Sequence, residues 1–285
     1  INTYRAGLKK HTLVVDDNIR ISYCVRGEKN DNTPTLLFVH GLSSDKETWL
    51  SVIKDIPASY HCIALDLPGH GDTIGFKEDS FIVYKVVDVI KAFINALGLV
   101  RPLYLIGISY GGAIASLFAA KYPQYVNRLA ILAAPAGEIC ETEVFQTIRA
   151  GTYDILLPST IEQLYTTIGL LSFKKINVPK QILNGYLNIR NRHIEEHSKV
   201  LNSLLSYDYQ NLDDYYSTLK NIKCPTMILW GYEDKLFTRN GAQYFHNLIP
   251  HAEVHIIPDC GHLMADEHPE QIATILTRFM GNKQE

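Results

Sequence analysis

The chain has 285 residues, of which 46% are apolar and 20% charged, and its formal net charge is −3. This length and composition are typical of a globular protein whose core needs neither metals nor disulfides, and the lack of a basic stripe argues against nucleic acid as a partner. The sequence has no uninterrupted apolar run long enough for a transmembrane helix.

The N-terminal part of the sequence predicts strands. Residues 11–17 and 20–26 are expected to pair as a hairpin through Asp17-Asn18. Two short apolar runs, residues 35–40 and 62–65, are followed by turns rich in glycine or proline. Such runs are typical of buried parallel strands.

The hydrophobic period then changes to that of a helix between residues 80 and 97. The strand, helix and strand predicted next cover residues 103–106, 111–122 and 129–133. After Pro225 the same alternation is predicted for residues 226–230, 241–248, 253–257 and 269–280. This alternation predicts an α/β fold with an eight-stranded, mostly parallel sheet flanked by helices.

The alternation stops near Gly137 and resumes near Cys224. The helices predicted between these residues cover 141–151, 160–172 and 179–207. We interpret this block as a helical cap inserted into the sheet, although it could also be an ordinary helical layer of the core. The expected division is a core of residues 1–137 and 222–285 and a cap of residues 138–221.

The pentapeptide 107–111, Gly-Ile-Ser-Tyr-Gly, matches the G-x-S-x-G pattern of a nucleophile elbow. Glycines are needed because the turn from strand to helix is sharp and crowded. An apolar strand before the motif and a small-residue helix after it supply the expected context. We therefore predict that Ser109 is a nucleophile rather than a structural serine.

A serine nucleophile needs a general base, and a carboxylate must orient that base. His262 follows the last predicted strand, and Asp234 ends the strand before it. The chain order Ser109, Asp234, His262 is the order of a triad on this kind of sheet. Glu233 competes with Asp234 for the role of the acid, whereas Asp259 is interpreted as a turn residue.

The remaining histidines fit the role of the base less well. His40 and His70 precede Ser109, which is the wrong chain order. His193 and His197 are spaced i, i+4 on a predicted cap helix, which would suit a metal site. Because no third ligand is evident, we expect both to lie on the solvated surface, and we expect neither a metal nor a cofactor.

An oxyanion that develops during acyl transfer needs two N–H donors. One predicted donor is the amide of Tyr110, directly after the nucleophile. The other is the amide of Leu42, in the His40-Gly41-Leu42 turn after an early strand.

Taken together, these motifs resemble the α/β-hydrolase superfamily over nearly the whole chain. The motifs in family order are His40-Gly41-Leu42, residues 66–71, residues 107–111, residues 230–234 and Gly261-His262. The chain is most similar to one branch, the membrane-associated monoacylglycerol lipases called α/β-hydrolase-domain proteins. The stretches that carry this closer similarity are Tyr122-Pro123, Pro135-Ala136-Gly137, residues 157–160 and residues 178–185.

The resemblance implies an α/β-hydrolase fold and hydrolysis of monoacylglycerols or similar acyl esters. Members of that branch typically begin with a membrane-spanning helix, which this sequence lacks, and often have Met where Tyr110 stands. We expect the chain to be soluble as given and leave open its compartment and whether a segment before Ile1, or peripheral contact of the cap, associates it with a membrane. The oligomeric state is left open.

The apolar faces of the cap helices are expected to line a tunnel for one acyl chain above Ser109. The residues predicted to line this pocket are Trp49, Leu164, Ile168, Leu171 and Ile182.

Two other functions fit the same residues. A carbon–carbon bond hydrolase keeps the triad and a similar cap, but that family usually carries arginine after the glycine of the cap helix, and here Tyr186 follows Gly185. A ligand-binding receptor of this fold would retain the triad with little or no turnover. The intact triad, oxyanion loop and apolar cap favour an ester hydrolase.

Overall fold

The computed structural model describes residues 7–15, 18–30, 34–77, 81–174 and 178–281. Asp17, in the predicted hairpin turn, lies outside these ranges. The strands are Lys9–Val14 (β1), Arg20–Arg26 (β2), Thr35–Val39 (β3), His61–Leu65 (β4), Leu103–Ile108 (β5), Val126–Leu132 (β6), Thr226–Gly231 (β7) and Glu253–Ile257 (β8).

The eight strands form one sheet in the order β1-β2-β4-β3-β5-β6-β7-β8. The pairs β1–β2 and β2–β4 are antiparallel, and the other neighbours are parallel. Every residue of β3, β4, β5 and β7 is buried, as strands covered on both faces require. The expected eight-stranded, mostly parallel sheet is confirmed.

Helices cover both faces of the sheet. The α-helices of the described ranges are Leu50–Ile53 (α1), Val83–Ala96 (α2), Tyr110–Lys121 (α3), Glu143–Arg149 (α4), Ile161–Leu171 (α5), Lys180–Arg190 (α6), Ile194–Ser203 (α7), Leu212–Ser217 (α8), Asn240–Leu248 (α9), Met264–Glu267 (α10) and Pro269–Gly281 (α11). Within the described part of the chain, no helix combines the length and the hydropathy that crossing a bilayer would demand.

The single helix predicted over residues 179–207 is wrong, because the structure divides it. Helix α6 ends at Arg190, a 3₁₀ turn covers Asn191–His193, and α7 is followed by a π-helical turn, Leu204–Asp208. His193 has φ −113° and ψ 9°, outside the helical region. The sequence has no glycine or proline at this break, so the hydrophobic period alone did not indicate it.

The segment between β6 and β7, residues 138–221, is called the insert below. A small apolar cluster of Leu164, Leu183 and Leu187 joins α5 to α6 and is separate from the main core. Other insert residues, including Phe145 and Val200, belong to the main core itself. The insert therefore combines an independent apolar layer with parts continuous with the sheet, and its division into a separate cap stays a prediction.

Candidate active site

The turn between β5 and α3 holds Ser109 in a strained conformation. Its φ of 54° and ψ of −124° are unusual for a residue with a Cβ. A Cβ on Gly111 would lie 2.4 Å from the carbonyl oxygens of Val39 and His40, and one on Gly107 would lie 2.1 Å from the carbonyl oxygen of Gly111. Glycine is thus required on both sides, and Ser109 remains partly exposed at the carboxyl end of the sheet.

The imidazole of His262 lies within hydrogen-bonding distance of both other predicted triad side chains. The Nε2 of His262 is 3.0 Å from the Oγ of Ser109, and its Nδ1 is 2.8 Å from Oδ2 of Asp234. The carboxylate of Asp234 is fully buried, and its other oxygen accepts hydrogen bonds from the amides of Leu236 and Phe237. These amides hold the carboxylate toward the imidazole, an arrangement suited to general-base activation of a hydroxyl.

Glu233 faces a different partner. Its Oε2 accepts a hydrogen bond from the amide of Cys260 at 3.0 Å, and its own amide donates to the carbonyl of Cys260. Glu233 therefore binds the loop before His262, whereas Asp234 contacts the imidazole of His262. Asp259 has φ 54° and occupies the turn, as its interpretation as a turn residue requires.

The predicted oxyanion loop lies directly beside the nucleophile. A Cβ on Gly41 would be 3.2 Å from the Cβ of Ser109, so the loop backbone contacts the serine. The amide of Leu42 follows Gly41, and the amide of Tyr110 opens helix α3, where N–H groups have no partner within the helix. Both remain the predicted donors of the hole.

Two histidines that the sequence reasoning set aside hold this loop. The Nε2 of His40 accepts a hydrogen bond from the amide of Leu67, so its Nδ1 carries the proton and donates to the carbonyl of Gly41 at 2.8 Å. That carbonyl belongs to the same peptide unit as the amide of Leu42. His40 thereby orients the predicted donor, and burial lowers the pKa of its imidazole to about 4, which keeps it neutral.

His70 acts on the next peptide unit in the same way. Its Nε2 accepts a hydrogen bond from the amide of Ser43 at 3.0 Å, and its Nδ1 donates to the carbonyl of Pro68. Burial, together with neighbouring His40, lowers the pKa of His70 well below its usual value. In the sequence, Gly41 follows His40, and Gly69 and Gly71 flank His70. These glycines indicate turns but not the partners of the two histidines.

A buried ion pair anchors the residues that follow the loop. The Nζ of Lys46 lies 2.6 Å from Oδ2 of Asp66 and 3.1 Å from Oδ2 of Asp72, and the amide of Lys46 donates to Oδ1 of Asp66. Burial disfavours the ammonium charge, but the two carboxylates outweigh it and raise the pKa of Lys46. The ion pair joins the residues after the oxyanion loop to the turn of residues 66–71.

The loop that carries His262 is bonded to the end of α5 in the insert. The amide of His262 donates to the carbonyl of Leu171 at 2.7 Å. The buried carboxylate of Glu267 accepts hydrogen bonds from the amides of Gly261 and Phe173 at 3.0 and 2.8 Å. The contacts to Leu171 and Phe173 were not predicted, because they join residues about 90 positions apart in the sequence.

The predicted pocket residues occupy different surroundings. Leu164 and Ile168 belong to the apolar cluster of α5 and α6, and Leu171 is buried beside the His262 loop. Ile182 is 62% exposed, so its side chain faces outward rather than into an enclosed tunnel. Trp49 is fully buried against Phe38, which places it in the core and not on a pocket wall.

The expectation that His197 lies on the solvated surface is wrong. Only 3% of the residue is exposed, its ring lies 4.9 Å from that of His70, and both of its ring nitrogens lack a hydrogen-bond partner. Burial lowers its pKa to about 3. The described residues include no group of three histidine, cysteine or acidic side chains that could hold a metal.

The chain is similar to known hydrolases in both sequence and fold. Residues 34–269 match the family described as alpha/beta hydrolase fold. Human monoacylglycerol lipase ABHD6 is 31% identical over 280 residues, which cover 93% of this chain and 80% of the lipase. A crystal structure from Acinetobacter baumannii AYE, assigned as a lipase, superposes with a TM-score of 0.90 at 26% identity and covers 99% of this chain and 95% of its own.

A more distant relative has another activity. The 2-hydroxy-6-oxononadienedioate/2-hydroxy-6-oxononatrienedioate hydrolase of Paraburkholderia phymatum is 25% identical over 264 residues, which cover 87% of each protein.

The contacts of Asp234 and Glu233 predict different effects for two amide substitutions. Asp234→Asn should lower kcat for a p-nitrophenyl ester by about 10²–10⁴-fold with little change in KM, because the amide donates to Nδ1 and leaves Nε2 protonated. Glu233→Gln retains an acceptor for Cys260 and should lower kcat less than about fivefold. Steady-state kinetics that rank the two variants in the opposite order would assign the acid to Glu233.

The buried, unpaired His197 predicts a dependence of stability on pH. Its folded pKa of about 3 lies below the value of about 6.5 expected when unfolded. The unfolded chain therefore binds more protons, and stability falls as pH drops from about 6.5 toward 3. In His197→Leu, urea unfolding should show a stability gain over wild type that grows as pH falls from 7 to 5. A gain that is constant with pH would contradict this.

Proposed function

The chain belongs to the α/β-hydrolase family, and we propose that it hydrolyses acyl esters of lipids, monoacylglycerols above all, through an acyl-enzyme on Ser109. The observation that carries this proposal is the continuous contact from Ser109 through His262 to Asp234, with distances of 3.0 and 2.8 Å. The proteins similar to this chain in sequence and structure include a monoacylglycerol lipase and a protein assigned as a lipase.

The reaction follows from this contact. The Oγ of Ser109 attacks the ester carbonyl while Nε2 of His262 takes the hydroxyl proton, and the amides of Leu42 and Tyr110 bind the resulting oxyanion. Collapse of the tetrahedral intermediate breaks the carbonyl–alkoxide bond, and His262 returns its proton to the departing alcohol. A water molecule, deprotonated by His262, then releases the fatty acid by the same steps in reverse.

The insert supports a substrate with one acyl chain. Helices α5 and α6 bring an apolar layer to the side of the sheet where Ser109 lies, and the end of α5 is bonded to the His262 loop. We infer that these helices form the apolar enclosure, with few polar groups, that a single alkyl chain needs. Tri-esters carry additional chains that such an enclosure would exclude.

A carbon–carbon bond hydrolase is the second candidate, favoured by the relative from Paraburkholderia. The triad does not discriminate between the two reactions, because both can use it. The residue after Gly185 does discriminate between them, because Tyr186 stands where the carbon–carbon bond hydrolases usually carry arginine. Tyr186 is also exposed to solvent. The absence of turnover on a 2-hydroxy-6-oxo-dienoate would exclude this second function.

Helix α6 also presents an apolar face to solvent. Ile182, Tyr186 and Ile189 are spaced i, i+4, i+7 on one side of the helix, with exposures of 62, 47 and 58%. Phe173 at the end of α5 is exposed as well. Since a monoacylglycerol partitions into lipid surfaces, we propose that this face contacts the membrane that holds the substrate.

The proposed substrate predicts a dependence on chain length. Each buried methylene contributes about 0.8 kcal/mol, so kcat/KM on glycerol monoesters should rise from acetyl to medium chains, and monoesters should exceed a triglyceride emulsion. Ser109→Ala should remove turnover while the protein stays folded. Wild type should release far more than one equivalent of product per active site, whereas a ligand-binding receptor would not. A maximum at acetyl or equal rates on triglyceride would leave only a general carboxylesterase.

The exposed face of α6 predicts an effect confined to lipid surfaces. Ile182→Ser combined with Ile189→Ser should lower co-sedimentation with phosphatidylcholine vesicles containing monoacylglycerol, together with hydrolysis of that lipid. Turnover of soluble p-nitrophenyl butyrate should be unchanged. Val100→Ser is the matched control, since Val100 is exposed at the opposite, amino end of β5. Equal vesicle binding by the double variant and wild type would contradict the proposal.

A further inference from the structure

Ser43, the residue after the predicted oxyanion donor Leu42, has an unfavourable backbone conformation. Its φ is 56°, in the left-handed region that side chains rarely adopt. Such a conformation persists only where surrounding contacts over-determine it. The amide of Ser43 is bound by His70, which leaves its carbonyl and hydroxyl groups to be held by other parts of the chain.

Both of these groups are held by the insert. Nη1 of Arg190, the last residue of α6, donates to the carbonyl of Ser43 at 2.7 Å, and its Nη2 donates to the carbonyl of Leu156. The hydroxyl of Ser43 donates to that same carbonyl of Leu156 at 2.9 Å. The three residues thus form a closed set of hydrogen bonds between the oxyanion loop and the insert.

Arg190 is suited to this role by its chemistry and its burial. It is only 7% exposed, so its guanidinium is removed from solvent. The planar fork of guanidinium N–H groups can reach two carbonyls at once in a fixed geometry. A lysine ammonium at the same place is a point charge on a flexible stem and would not impose this geometry.

We propose that Arg190 is a positioning residue for the oxyanion hole, because it holds Ser43 in the left-handed conformation. This inference rests on the proposed function, because an oxyanion hole matters only for acyl transfer. Without Arg190, the carbonyl of Ser43 loses its partner in the insert, and the turn that contains Leu42 is then held by His40, His70 and the hydrogen bond from the amide of Ser44 to the carbonyl of Gly41. The docking of the insert therefore contributes to the geometry of the hole, in addition to the contacts of the two histidines.

The test compares Arg190→Met and Arg190→Lys with wild type on p-nitrophenyl butyrate, with active sites counted by stoichiometric fluorophosphonate labelling. Loss of a single oxyanion donor costs about 10²–10³-fold in kcat, and a displaced donor should cost less. We expect kcat per labelled site to fall about 10–100-fold in Arg190→Met and by less in Arg190→Lys. KM should change by no more than about threefold.

A second measurement reports the hole directly. Butylboronic acid forms a tetrahedral adduct with a serine nucleophile and places an oxygen where the oxyanion develops. Its affinity should fall in Arg190→Met by the same factor as kcat/KM. Arg192→Met, at an exposed arginine two residues further along, is the matched control and should leave both quantities unchanged.

Three outcomes would overturn the inference. If kcat per labelled site is unchanged while the yield of folded protein falls, Arg190 has only a structural role. If KM rises with kcat unchanged, Arg190 acts on substrate binding. If wild type itself fails to turn over esters, or Ser109→Ala equals it, the proposed function fails and the inference with it. If Arg190→Met does not fold, a lowered kcat per labelled site in Arg190→Lys supports the inference, and an unchanged kcat overturns it.

Discussion

The arrangement of the site depends on one steric constraint, the close contact between the turn at Ser109 and the end of β3. The backbone of Gly111 lies against the carbonyls of Val39 and His40, and Gly41 lies against the side chain of Ser109. Because β3 and β5 are parallel neighbours, the loops that follow them emerge side by side. The candidate nucleophile and the candidate oxyanion loop are thereby brought together by backbone packing.

Around this contact, buried polar side chains hold the loops, and each of these side chains must keep one charge state to do so. His40 and His70 must stay neutral, because each accepts a backbone hydrogen bond at Nε2. Lys46 must stay charged, because it neutralises the buried carboxylate of Asp66. Burial favours the neutral imidazoles, and ion pairing outweighs burial for the lysine. The same low-polarity surroundings thus enforce opposite charge states according to the partner available.

The insert contributes to both sides of the site. Arg190 joins it to the oxyanion loop, and the carbonyl of Leu171 joins it to His262. These hydrogen bonds join the insert to both loops of the candidate site. The arrangement of both loops therefore depends on contacts with α5 and α6 of the insert.

The sequence alone determined the strands and helices of the sheet and the elbow at Ser109, because hydrophobic periods and glycine patterns are local. It also determined the chain order that selected Asp234 and His262. Tertiary structure alone decided that His197 is buried, that Trp49 belongs to the core and that Ile182 faces outward. It also paired Arg190 with Ser43, 147 residues away. Local periodicity cannot report such contacts, since burial of a helix face and the partner of a buried polar group depend on which distant segment packs against it.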